Sequence, residues 1–165
     1  PNQALEAYRN PDTREAAVAF FTSLSGSREL TEILLRNAAA FDLDPALVFA
    51  LCWVESHYNR YAVNSKNVNG SIDRGLFQLN DRSFPHLDVE EFFDPSINAS
   101  TALKSLRDYI KLGGSEVAAL AMYNAGPVRV RRGATPQKTL NYIASIDAYR
   151  AGITALFRQV YHSSV

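Results

Sequence analysis

A carboxylate follows directly on the most apolar run of the chain: residues 46–54, ALVFALCWV, lead into Glu55. An acid among such neighbours loses hydration on ionising, so its pKa rises and it stays protonated toward neutral pH. That is the condition a general acid needs. Position alone also fits a plainer reading, in which a glutamate at a helix end meets water or pairs with one of the arginines. Other constellations offer less. His57, His86 and His162 are scattered with no metal-ligand spacing, so no metal is expected. Serines such as Ser56 have no His and Asp partners at a spacing that would make a triad. The single cysteine, Cys52, lies inside the apolar run and reads as a small buried thiol.

The elements that would hold Glu55 read mostly as helix. Apolar positions recur at helical spacing over residues 12–24 and 28–41, with a break at Ser25-Gly26-Ser27. Asp44 is placed as an N-cap and Pro45 as the first helical residue of a segment running to about residue 57. Because residues 46–54 are apolar around the whole circumference, this helix is expected at the centre of the fold. Residues 59–80 change character: the Asn- and Ser-rich sequence and Asn69-Gly70 predict a long loop with room for a short hairpin. Long loops in small helical domains are often functional. Asp94-Pro95 opens a helix to about residue 112, and Ser115 caps a short segment ending near Asn124. A basic loop over 129–133 precedes two last helices, 136–146 and 147–162. The fold class expected is all-α, with little or no sheet.

The 165 residues, 18.3 kDa in mass, fit one domain. Seventeen basic and seventeen acidic side chains balance to zero, so neither nucleic acid nor an anionic membrane surface is an expected partner. No apolar stretch approaches the roughly 20 residues that span a bilayer. The chain begins Pro1-Asn2-Gln3, which suits a processed or trimmed product.

Four segments in order, Glu55-Ser56, Gly75-Leu-Phe-Gln-Leu-Asn80, Ala121-Met-Tyr-Asn-Ala-Gly-Pro127 and Tyr142, resemble the lysozyme-like lytic transglycosylases that cleave bacterial peptidoglycan. The resemblance spans about residues 40–146 and implies a lysozyme-like helical fold. It implies that Glu55 is the sole catalytic acid and base, with Ser56 assisting beside the glycan. It implies a substrate-binding lining of Gly75, Leu76, Phe77 and Gln78, the glycine allowing close backbone approach and Gln78 offering donor and acceptor. Tyr123 and Asn124 match a Tyr-Asn pair set against the catalytic glutamate and the sugar, and Tyr142 matches a tyrosine whose hydroxyl approaches that glutamate. The chain departs from the family pattern at Phe77, where methionine is common, at Met122, where alanine is common, and at Lys138, where glutamate is common. The segment 67–74, with Asp73, is longer than the usual pattern.

The implied reaction needs one carboxyl group. Glu55 would protonate the bond between N-acetylmuramic acid and N-acetylglucosamine while the sugar's acetamido group supports the oxocarbenium ion. The carboxylate would then take the proton of the muramyl 6-hydroxyl, closing a 1,6-anhydro ring with the large effective concentration of an intramolecular attack. No cofactor is implied. Asp73 leaves an alternative open, since most glycosidases use a second carboxylate and goose-type lysozymes share the fold; hydrolysis would then replace ring closure. Its context, Ser71-Ile72-Asp73-Arg74, more simply suits a loop aspartate bonding local N–H groups or pairing with Arg74. A third alternative is a non-catalytic peptidoglycan-binding scaffold. The partners implied are glycan strands met by a monomer in the periplasm or cell envelope. Arg129, Arg131 and Arg132 could read as a nucleic-acid patch, but in a neutral chain and beside Tyr123-Asn124-Ala125-Gly126 they better suit a cleft edge or a solvated face.

Overall fold

The computed structural model describes residues 2–163, so Pro1 lies outside the described residues, as does the side chain of His162. In chain order the helices and strands are α1 (Gln3–Arg9), α2 (Arg14–Ser25), α3 (Arg28–Ala40), α4 (Pro45–Ser56), β1 (Val63–Asn64), β2 (Asp73–Arg74), β3 (Leu79–Asn80), α5 (Val89–Phe93), α6 (Pro95–Gly113), α7 (Glu116–Ala125), α8 (Pro127–Arg131) and α9 (Gln137–Ser163). Helix dominates as the periodicity predicts, and the only sheet among the described residues has three two-residue strands.

The central helix is α4. Its N-cap Asp44 accepts from the Ala46 N–H at 2.9 Å, Pro45 follows where its missing donor costs nothing, and residues 45–52 are all buried. It packs against α9, α3 and α1. Phe49 meets Phe21 of α2 at 4.5 Å between ring centroids, and Phe21 stacks with Phe157 of α9 at 5.8 Å. Cys52 is fully buried in this core, as its apolar setting implies.

Residues 59–80 are more ordered than a loop with one hairpin. The strands form an antiparallel sheet in the order β1-β2-β3, with Asn64 opposite Asp73 and Asp73 opposite Asn80. The Asn69-Gly70 turn is present, Gly70 having φ 76° and Ser71 N–H bonding the Asn69 side chain at 3.0 Å.

Four helices differ from the sequence expectation. The two last segments form one helix, α9, because no glycine or proline interrupts the chain at 146–147 and the buried positions Ile143, Ile146, Ile153 and Phe157 continue a single stripe. The basic loop is partly the one-turn helix α8, opened by Pro127 at its first position. Helices α1 and α5 lie where no helix was expected: α1 is short and buries mainly alanine, whereas α5 carries a legible capping box, Asp88 with Glu91.

Candidate active site

Glu55 stands in the last turn of α4, where the helix ends abruptly. His57 and Tyr58 both have positive φ, 53° and 61°. Two successive non-glycine residues in the left-handed region cost roughly 1–2 kcal/mol each. Trp53 offsets that cost by packing on both rings, 4.2 Å from His57 and 5.6 Å from Tyr58 between centroids. The chain thereby leaves the helix immediately after Glu55-Ser56 and enters the sheet.

Glu55 keeps a partly exposed side chain but is densely surrounded by protein. Burial raises its pKa from an ordinary 4.5 to about 8, and the nearby charge of Asp73 raises it too. The hydrogen bond from Tyr142 works the other way, because it favours the ionised carboxylate. Tyr142 Oη donates to Glu55 Oε1 at 2.5 Å from the second turn of α9. The Tyr142 phenol itself is held protonated by burial and by the Glu55 carboxylate beside it.

The segment 75–78 is a tight turn clamped by three helices. From α4, Ser56 Oγ donates to the Leu76 carbonyl at 2.7 Å. From α6, the fully buried Asn98 accepts from Phe77 N–H at 2.9 Å and donates to the carbonyls of Arg74 and Phe92. From α7, Tyr123 Oη donates to the Phe77 carbonyl at 2.7 Å. Gln78, at φ 50°, uses its amide N–H groups on the carbonyls of Ala62 and Gly75, both at 3.0 Å.

These contacts redistribute the roles assigned to the turn. Gly75 has φ 84°, and a Cβ there would lie 2.3 Å from both Phe92 O and Asn98 Nδ2, so the glycine is demanded by protein packing rather than by open space for a sugar. Leu76 and Phe77 are buried, at 1% and 0% exposure, and their side chains face the core. Ser56 points at the turn and braces it against the helix that carries Glu55.

Asn124, exposed, accepts from the buried Thr139 Oγ1 at 2.7 Å, which fixes its amide, and its side-chain N–H groups have no hydrogen bond among the described residues. Asp73 is bound by three asparagine amides: Asn80 on one oxygen at 2.8 Å, Asn64 and Asn67 on the other at 3.1 and 2.9 Å. Arg74 pairs with Asp81 at 3.5 Å, not with Asp73. The structure thus brings Glu55, Tyr142, Tyr123 and Asp73 into one electrostatic neighbourhood, since Glu55 and Asp73 also raise the Tyr123 pKa. Asn98, which the sequence marks only as an Asn-x-Ser triplet, and Thr139 were given no part in the site from the sequence. A polar residue within the apolar period of a helix was the available signal for Asn98.

A largely helical fold with a small three-stranded sheet beside the central helix is that of a lysozyme-like domain. The chain belongs to the transglycosylase SLT domain family, whose pattern matches residues 32–146 and so begins within α3, earlier than the motifs implied. It is similar to Protein IpgF of Shigella sonnei and Protein IpgF of Shigella flexneri, each 30% identical over 92 residues, 52% of this chain. The chain spans 60% of the length of these relatives. No helix among the described residues is long and apolar enough to cross a membrane.

Proposed function

We propose that the chain is a peptidoglycan lytic transglycosylase that cleaves the β-1,4 bond between N-acetylmuramic acid and N-acetylglucosamine and leaves a 1,6-anhydromuramyl end. The observation that carries this reading is the pair Glu55 and Tyr142: a shielded carboxyl group, protonated up to about pH 8, with a phenol on one oxygen. In the neutral form Glu55 can hand its proton to the glycosidic oxygen. Tyr142 then stabilises the carboxylate so formed, which takes the proton of the muramyl 6-hydroxyl as that oxygen closes on the anomeric carbon. The anhydro ring forms without water as nucleophile.

Tyr123, Ser56 and Gln78 act in this reading by holding the 75–78 turn against α4, while Gln78 Oε1 and the Asn124 N–H groups are left to meet sugar. Gly75, Leu76 and Phe77 shape that wall from behind. The working place of such an enzyme is the periplasm or cell envelope, where a monomer would meet glycan strands.

A hydrolytic muramidase is the second reading, favoured by one observation: the charge of Asp73 is near enough to raise the Glu55 pKa. The three amides on Asp73 support the first reading, because they give it the structural role of a loop aspartate that joins β1, the 64–67 turn and β3. Digestion of purified sacculi by the wild type and by Glu55→Gln, with mass analysis of the products, tests both. Anhydro ends, one water lighter than reducing ends and absent with the variant, are expected. Reducing ends alone would establish the hydrolase, and no release by either protein would leave a binding scaffold.

A further inference from the structure

The cations of this neutral chain are unevenly matched. Arg9, Arg28, Arg60, Arg74, Lys104 and Arg150 each face a carboxylate within 4 Å. Residues 117–146, by contrast, contain no aspartate or glutamate and four bases, Arg129, Arg131, Arg132 and Lys138. All four are exposed, on α8, the turn after it and the start of α9. None forms an ion pair or side-chain hydrogen bond among the described residues, which is also true of Arg36, Lys66, Arg82, Arg107 and Lys111; what sets these four apart is that their whole stretch of chain carries no acid. Exposed like charges without partners add nothing to folding stability and repel one another.

Their location links them to the candidate site. Lys138 lies one helical turn before Tyr142, on the same side of α9, and adjoins Thr139, which holds Asn124. Helix α8 packs on α7, which carries Tyr123 and Asn124. A strand seated at Glu55 and Asn124 would therefore run beside a positively charged edge.

We propose that this edge binds the carboxylates of the stem peptides borne by peptidoglycan and makes peptide-bearing glycan the preferred ligand. The inference rests on the proposed function for its ligand class. The sugars of such a strand are neutral, and its lactyl carboxyls are consumed in the amide bonds that attach the peptides. The remaining anionic groups are the several carboxylates along each peptide, which project sideways from the strand. Arginine donors suit carboxylates by geometry, and four cations can serve more than one of them.

Binding to full-length Glu55→Gln protein, which is expected to leave the strand intact, provides the test. Three soluble glycans are compared at low and high salt: peptide-bearing strands, strands stripped of peptides and so carrying free lactyl carboxylates, and stripped strands whose lactyl groups have been amidated. Peptide-bearing strands are expected to bind about tenfold more tightly than either stripped form at low salt, an advantage that screening removes at high salt. Replacing all four bases with glutamine abolishes the preference, whereas Arg129→Lys, Arg131→Lys and Arg132→Lys together preserve most of it. Thermal melting checks that the variants fold, and the salt dependence of the protein with its four bases intact decides the matter if they do not. Equal affinity for all three glycans would overturn the proposal, as would equal affinity for the peptide-bearing and lactyl forms, or equally tight binding to anionic phospholipid vesicles. Because binding is read without turnover, absence of sacculus digestion removes only the enzymatic reading. Normal digestion without a charge preference removes only this one.

Discussion

Glu55 is under opposed influences whose balance sets its chemistry. Burial and Asp73 keep the proton on; Tyr142 favours its release. A group that must first donate and then accept a proton works best when neither form is strongly preferred near the working pH. In the proposed reaction, activity is therefore expected to fall as pH rises through about 8, where Glu55 loses the proton it would donate. Tyr142→Phe removes the stabiliser of the carboxylate, so the alkaline limb of the pH profile should move upward while kcat drops on the order of 100-fold, as when one preorganised donor is deleted. A pH–rate profile of the variant reads both effects. An unmoved limb would mean that Tyr142 does not act through Glu55.

At the scale of elements, the 75–78 turn is what ties α4, α6 and α7 together beside the sheet. Asn98 alone makes three hydrogen bonds, one to the turn at Phe77, one to β2 at Arg74 and one to α5 at Phe92. Asn98→Ala would strand one buried N–H and two carbonyls, and should destabilise the fold by about 3 kcal/mol or more, read as a lower melting temperature. Gly75→Ala meets two obstacles, a positive φ and Phe92 backbone 2.3 Å from the new carbon, and should cost at least about 2 kcal/mol. In both variants activity should fall along with stability. A Gly75→Ala protein that melts like the wild type would show that the turn can shift without strain.

Across the whole molecule, α4 is anchored at both ends by α9. At one end Arg150 Nε bonds Asp44 at 2.8 Å and reaches Glu116 of α7; at the other, Tyr142 reaches Glu55. About 16 Å of helix, most of it buried, separates Asp44 from Glu55. Holding a neutral carboxyl at the second end has a stability consequence. The folded protein keeps the Glu55 proton up to about pH 8 and the unfolded chain only to about 4.5. Between those values the folded state binds more protons, so stability falls as pH rises through that window and levels off above it. Glu55→Gln lacks this penalty. Relative to the wild type it should gain stability progressively from pH 4.5 to 8, reaching about 2 kcal/mol once the partial exposure of the site is discounted. Denaturant melts across that range measure the gain, and a constant difference would place the Glu55 pKa near its ordinary value.

Much of this was legible in the residues themselves. Apolar period, caps and prolines located α2, α3, α4, α6 and α7, and the run before Glu55 marked a central helix ending on a shielded acid, because local propensity and burial pattern are written in short windows of sequence. What depended on tertiary structure was the partner of each polar group. That Asp73 would be bound by three asparagines rather than by Arg74, that Gly75 would lie against Asn98, and that Ser56 would brace a turn are outcomes of contacts between residues drawn from different elements, such as Ser56 of α4 and Leu76, 20 positions apart. Hydrogen bonds leave no periodic trace in sequence, and so the ordering of Glu55, Tyr142 and the turn between them was decided only when α4, α6, α7 and α9 packed into one core.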